Sequence, residues 1–124
     1  MPIIEQSVPA GLTVLGDITI TAGTPITLID AFASLPYNIE GMMVRLLLFS
    51  ARHLNTGRIF IGDRRMAASG GNFTSYTLGI PPATGDIPFY HYRSENDNNN
   101  VPVGQFVVDG TVNGDIVRVS VMVG

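Results

Sequence analysis

The stretch NTGRIFIGD, Asn55 to Asp63, supports two readings that lead to different proteins. Gly57 and Gly62 have four residues between them, the glycine spacing of a loop that cradles nucleotide phosphates. Such a loop continues with Lys and then Ser or Thr, and the lysine meets the phosphate charge. Here Asp63 and Arg64 stand at those places, which puts a carboxylate where the phosphates would lie. The intervening Arg58-Ile59-Phe60-Ile61 is β-prone and half apolar, whereas a phosphate loop leaves its backbone N–H groups free for the ligand. The stretch therefore reads as turn, strand, turn. Asn55-Thr56-Gly57 reverses the chain, Ile59 and Ile61 point inward, Arg58 and Phe60 point outward, and Gly62-Asp63 ends the strand.

Segments of strand length lie on both sides of it, at 12–20, 25–29, 42–49, 73–78, 87–92, 105–108 and 115–123. Fourteen glycines and eight prolines punctuate them and leave little room for helix. Short strands at such spacing indicate a β-sandwich or barrel. The last segment is the cleanest. Val117, Val119, Val121 and Val123 fall on one face, and Ile116, Arg118, Ser120 and Met122 on the other. Before it, Asp109-Gly110 and Asn113-Gly114 are tight-hairpin pairs and predict a compact connection. The segment 42–49 is apolar on both faces, with Met42, Val44, Leu46 and Leu48 opposite Met43, Arg45, Leu47 and Phe49. Such a strand needs cover on both sides, the second from a loop or another subunit. One short helix is expected around residues 31–35, confined by Pro36 and Gly41. The polar run at 93–100 reads as a solvated loop.

A chain of 124 residues has the size of one domain and buries roughly two-thirds of its unfolded surface. It has no cysteine, which excludes disulfides and thiolate metal sites. The net charge of −3 gives no general attraction to nucleic acid. All seven basic residues are arginine, the cation that interfaces favour while lysine is depleted there. A hydrophobic content of 45% is high for a small protein alone in water and hints at contact surface. The opening MPIIEQSVPAG has neither the basic start nor the apolar core of a signal peptide, and no apolar run is long enough to span a membrane as a helix.

Catalytic patterns are weak throughout. His53 and His91 have no ligand-like spacing to Asp63 or Asp86, and no nucleophile elbow is present. Glu95 and Asp97, among asparagines, lack the alternation, central glycine and distal glutamate of a calcium loop. Hairpin turns explain Asp109 and Asp115 more simply than metal ligation does. Tyr76, Tyr90 and Tyr92 offer an aromatic platform for sugar, against the simpler reading that they pack at a rim or interface.

The order of these segments resembles the cement or decoration proteins and head-fibre modules of tailed-bacteriophage virions. The likeness is carried by ITITAGTPITLI (18–29), VRLLLFSARHLNTGRIFIGDRRM (44–66), LGIPPATGDIP (78–88) and FVVDGTVNGDIVRVSVMV (106–123). The run 94–100 and the long connection 29–42 depart from that pattern. The resemblance implies an all-β, single jelly-roll-like β-sandwich of about eight strands over residues 1–124, with no enzymatic activity and no cofactor. It implies a dimer or trimer on the capsid surface, assembled in the host cytoplasm, that bridges major capsid protein subunits without contacting nucleic acid or membrane directly. The alternative is a carbohydrate- or receptor-binding module of a fibre or tail. Exposure patterns suggest docking through Met43, Leu47, Phe49 and Phe60, with charged contacts from Arg45, Arg58, Arg64 and Arg65.

Overall fold

The computed structural model describes residues 11–52, 54–69, 72–80, 89–94 and 98–123. Its strands pair as one long hairpin closed at the join of β5 (Ile59–Ser69) and β6 (Asn72–Ile80). Moving outward from that join, β4 (Leu46–Ala51) pairs with β7 (Phe89–Arg93), and β3 (Met43–Val44) with β8 (Val101–Pro102). Then β2 (Ile26–Thr27) pairs with β9 (Val107–Gly110), and β1 (Gly11–Thr19) with β10 (Ile116–Val123). Every pair is antiparallel. Rolling this double ribbon adds two further ladders, β10 on β4 and β9 on β5. The result is two four-stranded sheets, β1-β10-β4-β7 and β2-β9-β5-β6, plus the short β3-β8 ribbon. Successive main strands alternate between the sheets except at the β5–β6 hairpin, which is the jelly-roll order. The fold is an all-β sandwich.

The alternation of β10 builds one side of the core. Val117, Val119 and Val121 are fully buried, flanked on β4 by Ala51, Phe49 and Leu47. Ile59, Ile61 and Val108 close over them from the second sheet. Each fully buried side chain of this kind is worth about 1.5–3 kcal/mol, so a register slip in β10 would forfeit several at once.

A chain that changes sheet must leave its ladder, and the freed backbone groups need other partners. Three such crossings meet at one end of the sandwich: 20–25 between β1 and β2, 52–58 between β4 and β5, and 111–115 between β9 and β10. Asp115 accepts from Thr56 N at 3.1 Å and Gly57 N at 2.8 Å. Asn55 donates to Ile116 O and accepts from Ile116 N, both at 2.8 Å. Arg58 N donates to the Thr111 hydroxyl at 2.9 Å, and Ala22 N to Asn113 Oδ1 at 2.7 Å. Ile20 N donates to Asp115 O, and Gly114 N returns a bond to Ile20 O.

Several local expectations change. The strand that opens at Ile59 does not end at Gly62-Asp63; it runs to Ser69, with register shifts on either side of Gly62. Asp109-Gly110 is not a turn but the end of β9, where a Cβ on Gly110 would stand 2.9 Å from Ile20 Cγ2 and 3.2 Å from Arg58 O. Asn113-Gly114 does turn, with Gly114 at φ +90°, but it joins two sheets and makes no hairpin. The helix α1 (Leu28–Ala31) starts about one turn earlier than expected, because the Thr27 hydroxyl accepts from Asp30 N and caps it. Residues 70–71, 81–88 and 95–97 lie outside the described residues, and with them the first two residues of the strand expected at 87–92 and the middle of the loop expected at 93–100.

Asp115→Ala leaves the buried Gly57 N–H and its neighbour without an acceptor. The expected loss is about 2–4 kcal/mol, seen as a lower urea midpoint at unchanged slope. Gly57→Ala should also destabilise, since its Cβ would stand 2.6 Å from Val112 Cγ2 and 3.0 Å from Asp115 Oδ2. A loss under about 0.5 kcal/mol for Asp115→Ala, the size of an ordinary surface change, would show that the corner is held by something else.

Candidate functional site

The expected docking residues do not form one surface. Leu47 and Phe49 are fully buried in the core, so they are corrected from docking to packing residues. The cause is a phase slip at Arg45, which lies between β3 and β4. Val44 and Leu47 both point inward, three residues apart, where an unbroken strand would place them on opposite faces. Arg45 still joins the ladder by backbone, donating N–H to Met122 O and accepting from Ser94 N, both at 2.8 Å. Phe60 points outward as expected, yet it is buried against Val107 on the outer side of its sheet. Met43 and Arg58 are exposed, Arg45 is half-buried, and the side chains of Arg64 and Arg65 lie outside those described.

A different surface comes together on the outer face of the β1-β10-β4-β7 sheet. Leu12 stands beside Met122, which stands beside Leu46; Val14 stands beside Ser120, which stands beside Leu48. Leu12 and Val14 are 61% and 51% exposed, and Met122, Leu46 and Leu48 are half-buried. Arg93 and His91 continue the two rows on β7 and are exposed. Further along, Asp17 and Arg118 make a two-pronged ion pair at 2.8 and 3.3 Å, which holds the Asp17 carboxyl below its usual range. Being exposed, that pair adds little to stability. Arg52 adds a second cation near Asp17 and lowers its carboxyl further.

Two breaks in alternation create this face. In β1 an unbroken strand would put Leu12, Val14, Ile18 and Ile20 on one side. A bulge between Val14 and Gly16 shifts the register, so Leu15, Ile18 and Ile20 enter the core while Leu12 and Val14 turn outward. Gly16 suits the bulge at φ +152°, and a Cβ there would stand 3.0 Å from Phe32 Cε1. The slip at Arg45 does the same for Leu46 and Leu48. Residue alternation alone conceals both, and the available signals were a glycine inside one apolar strand and an arginine inside another. Among the described residues, no strand pairs with the outer edge of β1.

The other candidates give little chemistry. Among the described residues no three His, Cys, Asp or Glu side chains gather into a metal-holding group. His53, Glu95 and Asp97 lie outside the described residues, as do the side chains of Tyr76 and Tyr90. A cleft of about 340 Å³ beyond α1 is lined mainly by Ile29, Phe32, Leu35, Tyr37 and Ile39, with Glu40 as its only carboxylate. A second, of about 190 Å³, lies beside Tyr92. No helix among the described residues is long and apolar enough to cross a membrane. No protein-family model, curated protein or solved structure matches the chain.

Asp109 is a buried acid with an incompletely paired carboxyl. It is 1% exposed, its Oδ1 accepts from Gly110 N at 2.7 Å and Gly23 N at 3.2 Å, and its Oδ2 is buried without a hydrogen bond. Burial pushes its carboxyl above the ordinary 3.8, with the Gly110, Gly23 and Thr24 amides pulling the other way. A carboxyl raised in the folded state binds its proton more tightly there than in the unfolded chain. Its stabilising contribution is therefore complete below 3.8 and disappears as pH rises through the folded value. Urea titrations across the acid range should show such a declining component in the wild type and not in Asp109→Asn. Parallel profiles for the two would mean that burial does not perturb this carboxyl.

Proposed function

We propose that the chain is a structural protein of a bacteriophage virion, a cement or decoration protein that self-associates and bridges major capsid subunits. It acts at the capsid surface after assembly in the host cytoplasm and performs no chemistry of its own. The observation that carries this reading is the apolar band Leu12, Val14, Met122, Leu46 and Leu48 on one sheet face. Two separate interruptions of strand alternation turn Leu12, Val14, Leu46 and Leu48 outward, beside Met122 on the regular β10, although burying each would have favoured folding by about 1.5–3 kcal/mol. Bulges that re-aim side chains belong at working surfaces. The resemblance in turn chemistry and segment order, and the use of arginine as the only strong cation, support the same reading. Weak docking of each subunit becomes strong when an oligomer engages several lattice positions at once. Closed symmetry is the usual way to build that oligomer.

Two measurements test it. Light scattering at high micromolar concentration should give a dimer or trimer for the wild type and a monomer for Leu12→Glu/Val14→Glu, with the β circular-dichroism signal retained. A wild-type monomer would remove the self-association. Peptide mass spectrometry of intact virions should find the chain as a stoichiometric component, and its absence would remove the capsid role.

A further inference from the structure

We propose that two copies of this chain join edge to edge through β1, antiparallel, about a two-fold axis at Thr13. Two copies of the β1-β10-β4-β7 sheet then become one continuous sheet. The inference rests on the self-association proposed above and gives it a geometry. In an antiparallel strand the N–H and C=O of one residue point the same way, and successive residues alternate between the two neighbours. Ile20 N donates to Asp115 O at 2.8 Å and Gly114 N to Ile20 O at 3.0 Å, so Asp115 turns its carbonyl toward β1. Arg52 N donates to Ile116 O at 3.0 Å, so Ile116 turns toward β4. β10 runs without a break from there to Val123, and its odd-numbered residues therefore serve β1. Thr13 lies opposite Val121, and Gly11 opposite Val123. Those two spend their backbone groups on β10, while Leu12 and Val14 turn theirs to the outer edge. Among the described residues, no strand takes them.

The occupant that this edge fits is a second copy of itself. A two-fold axis sets every charge against its own image, so an edge used this way must be neutral near the axis. Residues 11–16 carry no charge, and Asp17 is already paired with Arg118 at 2.8 Å. Lysine, proline and inward-pointing charges, which block edge strands against pairing, are absent from 11–16 as well. With the axis at Thr13, Leu12 exchanges both backbone hydrogen bonds with the partner's Val14, and Val14 does so with the partner's Leu12. The two threonines then face each other, a pairing that sheets favour. The bulge after Val14 ends the regular edge and excludes an axis further along the strand. An axis perpendicular to the sheet keeps both outer faces on one side. The row Leu46, Met122, Leu12 continues into the partner's Val14, and the exposed side chains of Leu12 and Val14 cover each other across the join. The contact is isologous, with the same surface on both copies, and it closes at two. β7, the other edge of this sheet, carries His91 and Arg93 instead.

The chain has no cysteine, so a single introduced one reports its own image. Facing threonines would form a pair with Cα atoms ~4.5 Å apart, inside disulfide reach. Leu12 and its image, or Val14 and its image, are two residues out of register and beyond the ~7 Å limit. At high micromolar concentration under mild oxidation, Thr13→Cys should give a reducible covalent dimer about tenfold faster, or more, than Leu12→Cys or Val14→Cys. Thr13→Lys would set two ammonium groups against each other at the axis and should weaken dimerisation about tenfold or more, with the β circular-dichroism signal retained. Thr13 points away from the apolar band, so a dimer made by stacking the two outer faces would be indifferent to both changes. Any of four results overturns the proposal: no Thr13→Cys crosslink, equal crosslinking at residue 12 or 14, an unweakened Thr13→Lys dimer, or a trimer. A wild-type dimer that fails to crosslink removes this geometry and leaves the capsid reading standing. A wild-type monomer removes the self-association on which both rest.

Discussion

Three chain crossings between the sheets are tied together by Asp115 and Asn55, and the rest of the fold depends on that junction. A ribbon folded on itself is only a flat double ladder. It becomes a sandwich when the chain turns from one sheet to the other, and each turn strips several N–H and C=O groups of their ladder partners. At this end of the molecule the lost bonds are replaced from side chains. The Asp115 carboxylate takes the Thr56 and Gly57 amides, Asn55 brackets the Ile116 backbone, and Thr111 and Asn113 serve Arg58 and Ala22. The residues so joined are far apart in sequence. The junction therefore fixes where β10 enters its sheet, and with it the register of the valines that fill the core.

This explains which parts of the fold were legible from residues alone. Val117 to Val123 announced a strand with one buried face, and it has one, because alternation is a local property. The phosphate-loop alternative failed on local chemistry as well. Asn113-Gly114 announced a turn and makes one, yet nothing local reveals that it joins two sheets. Asn113-Gly114 looked like a hairpin pair because hairpins and sheet crossings both require tight backbone reversal, whereas Asp109-Gly110 makes no reversal at all. Asp115 read as turn punctuation, while its work lies some sixty residues away, on amides that the sequence gives no reason to associate with it. Gly110 is required by the close approach of Ile20, which is likewise a tertiary fact.

The outward apolar band was missed for a related reason. A single-residue slip inverts every side chain beyond it, so a prediction of facing is only as good as the assumption of an unbroken strand. In the segment 42–49 that assumption exchanged the roles of Leu46 and Leu48 with those of Leu47 and Phe49. The composition carried a coarser signal, a hydrophobic content of 45%. Slips at Gly16 and Arg45 both send apolar side chains to the same face. Either slip alone could be an accident of packing. Their convergence on adjoining rows is harder to attribute to packing, because each diverts apolar area that the core would otherwise have taken.

The sheet order then constrains how two surfaces of this molecule can work together. In β1-β10-β4-β7 the exposed Leu12 and Val14 lie at one edge and Tyr92 at the other. At ~4.8 Å between neighbouring strands, those edges are about 14 Å apart. Leu12 and Val14 also face away from the sandwich interior, whereas Tyr92 stands on the interior side, at its rim. Association through the β1 edge would therefore leave the Tyr92 cleft open in every subunit. The jelly roll accommodates both surfaces without compromise, because its core needs neither sheet edge to be covered.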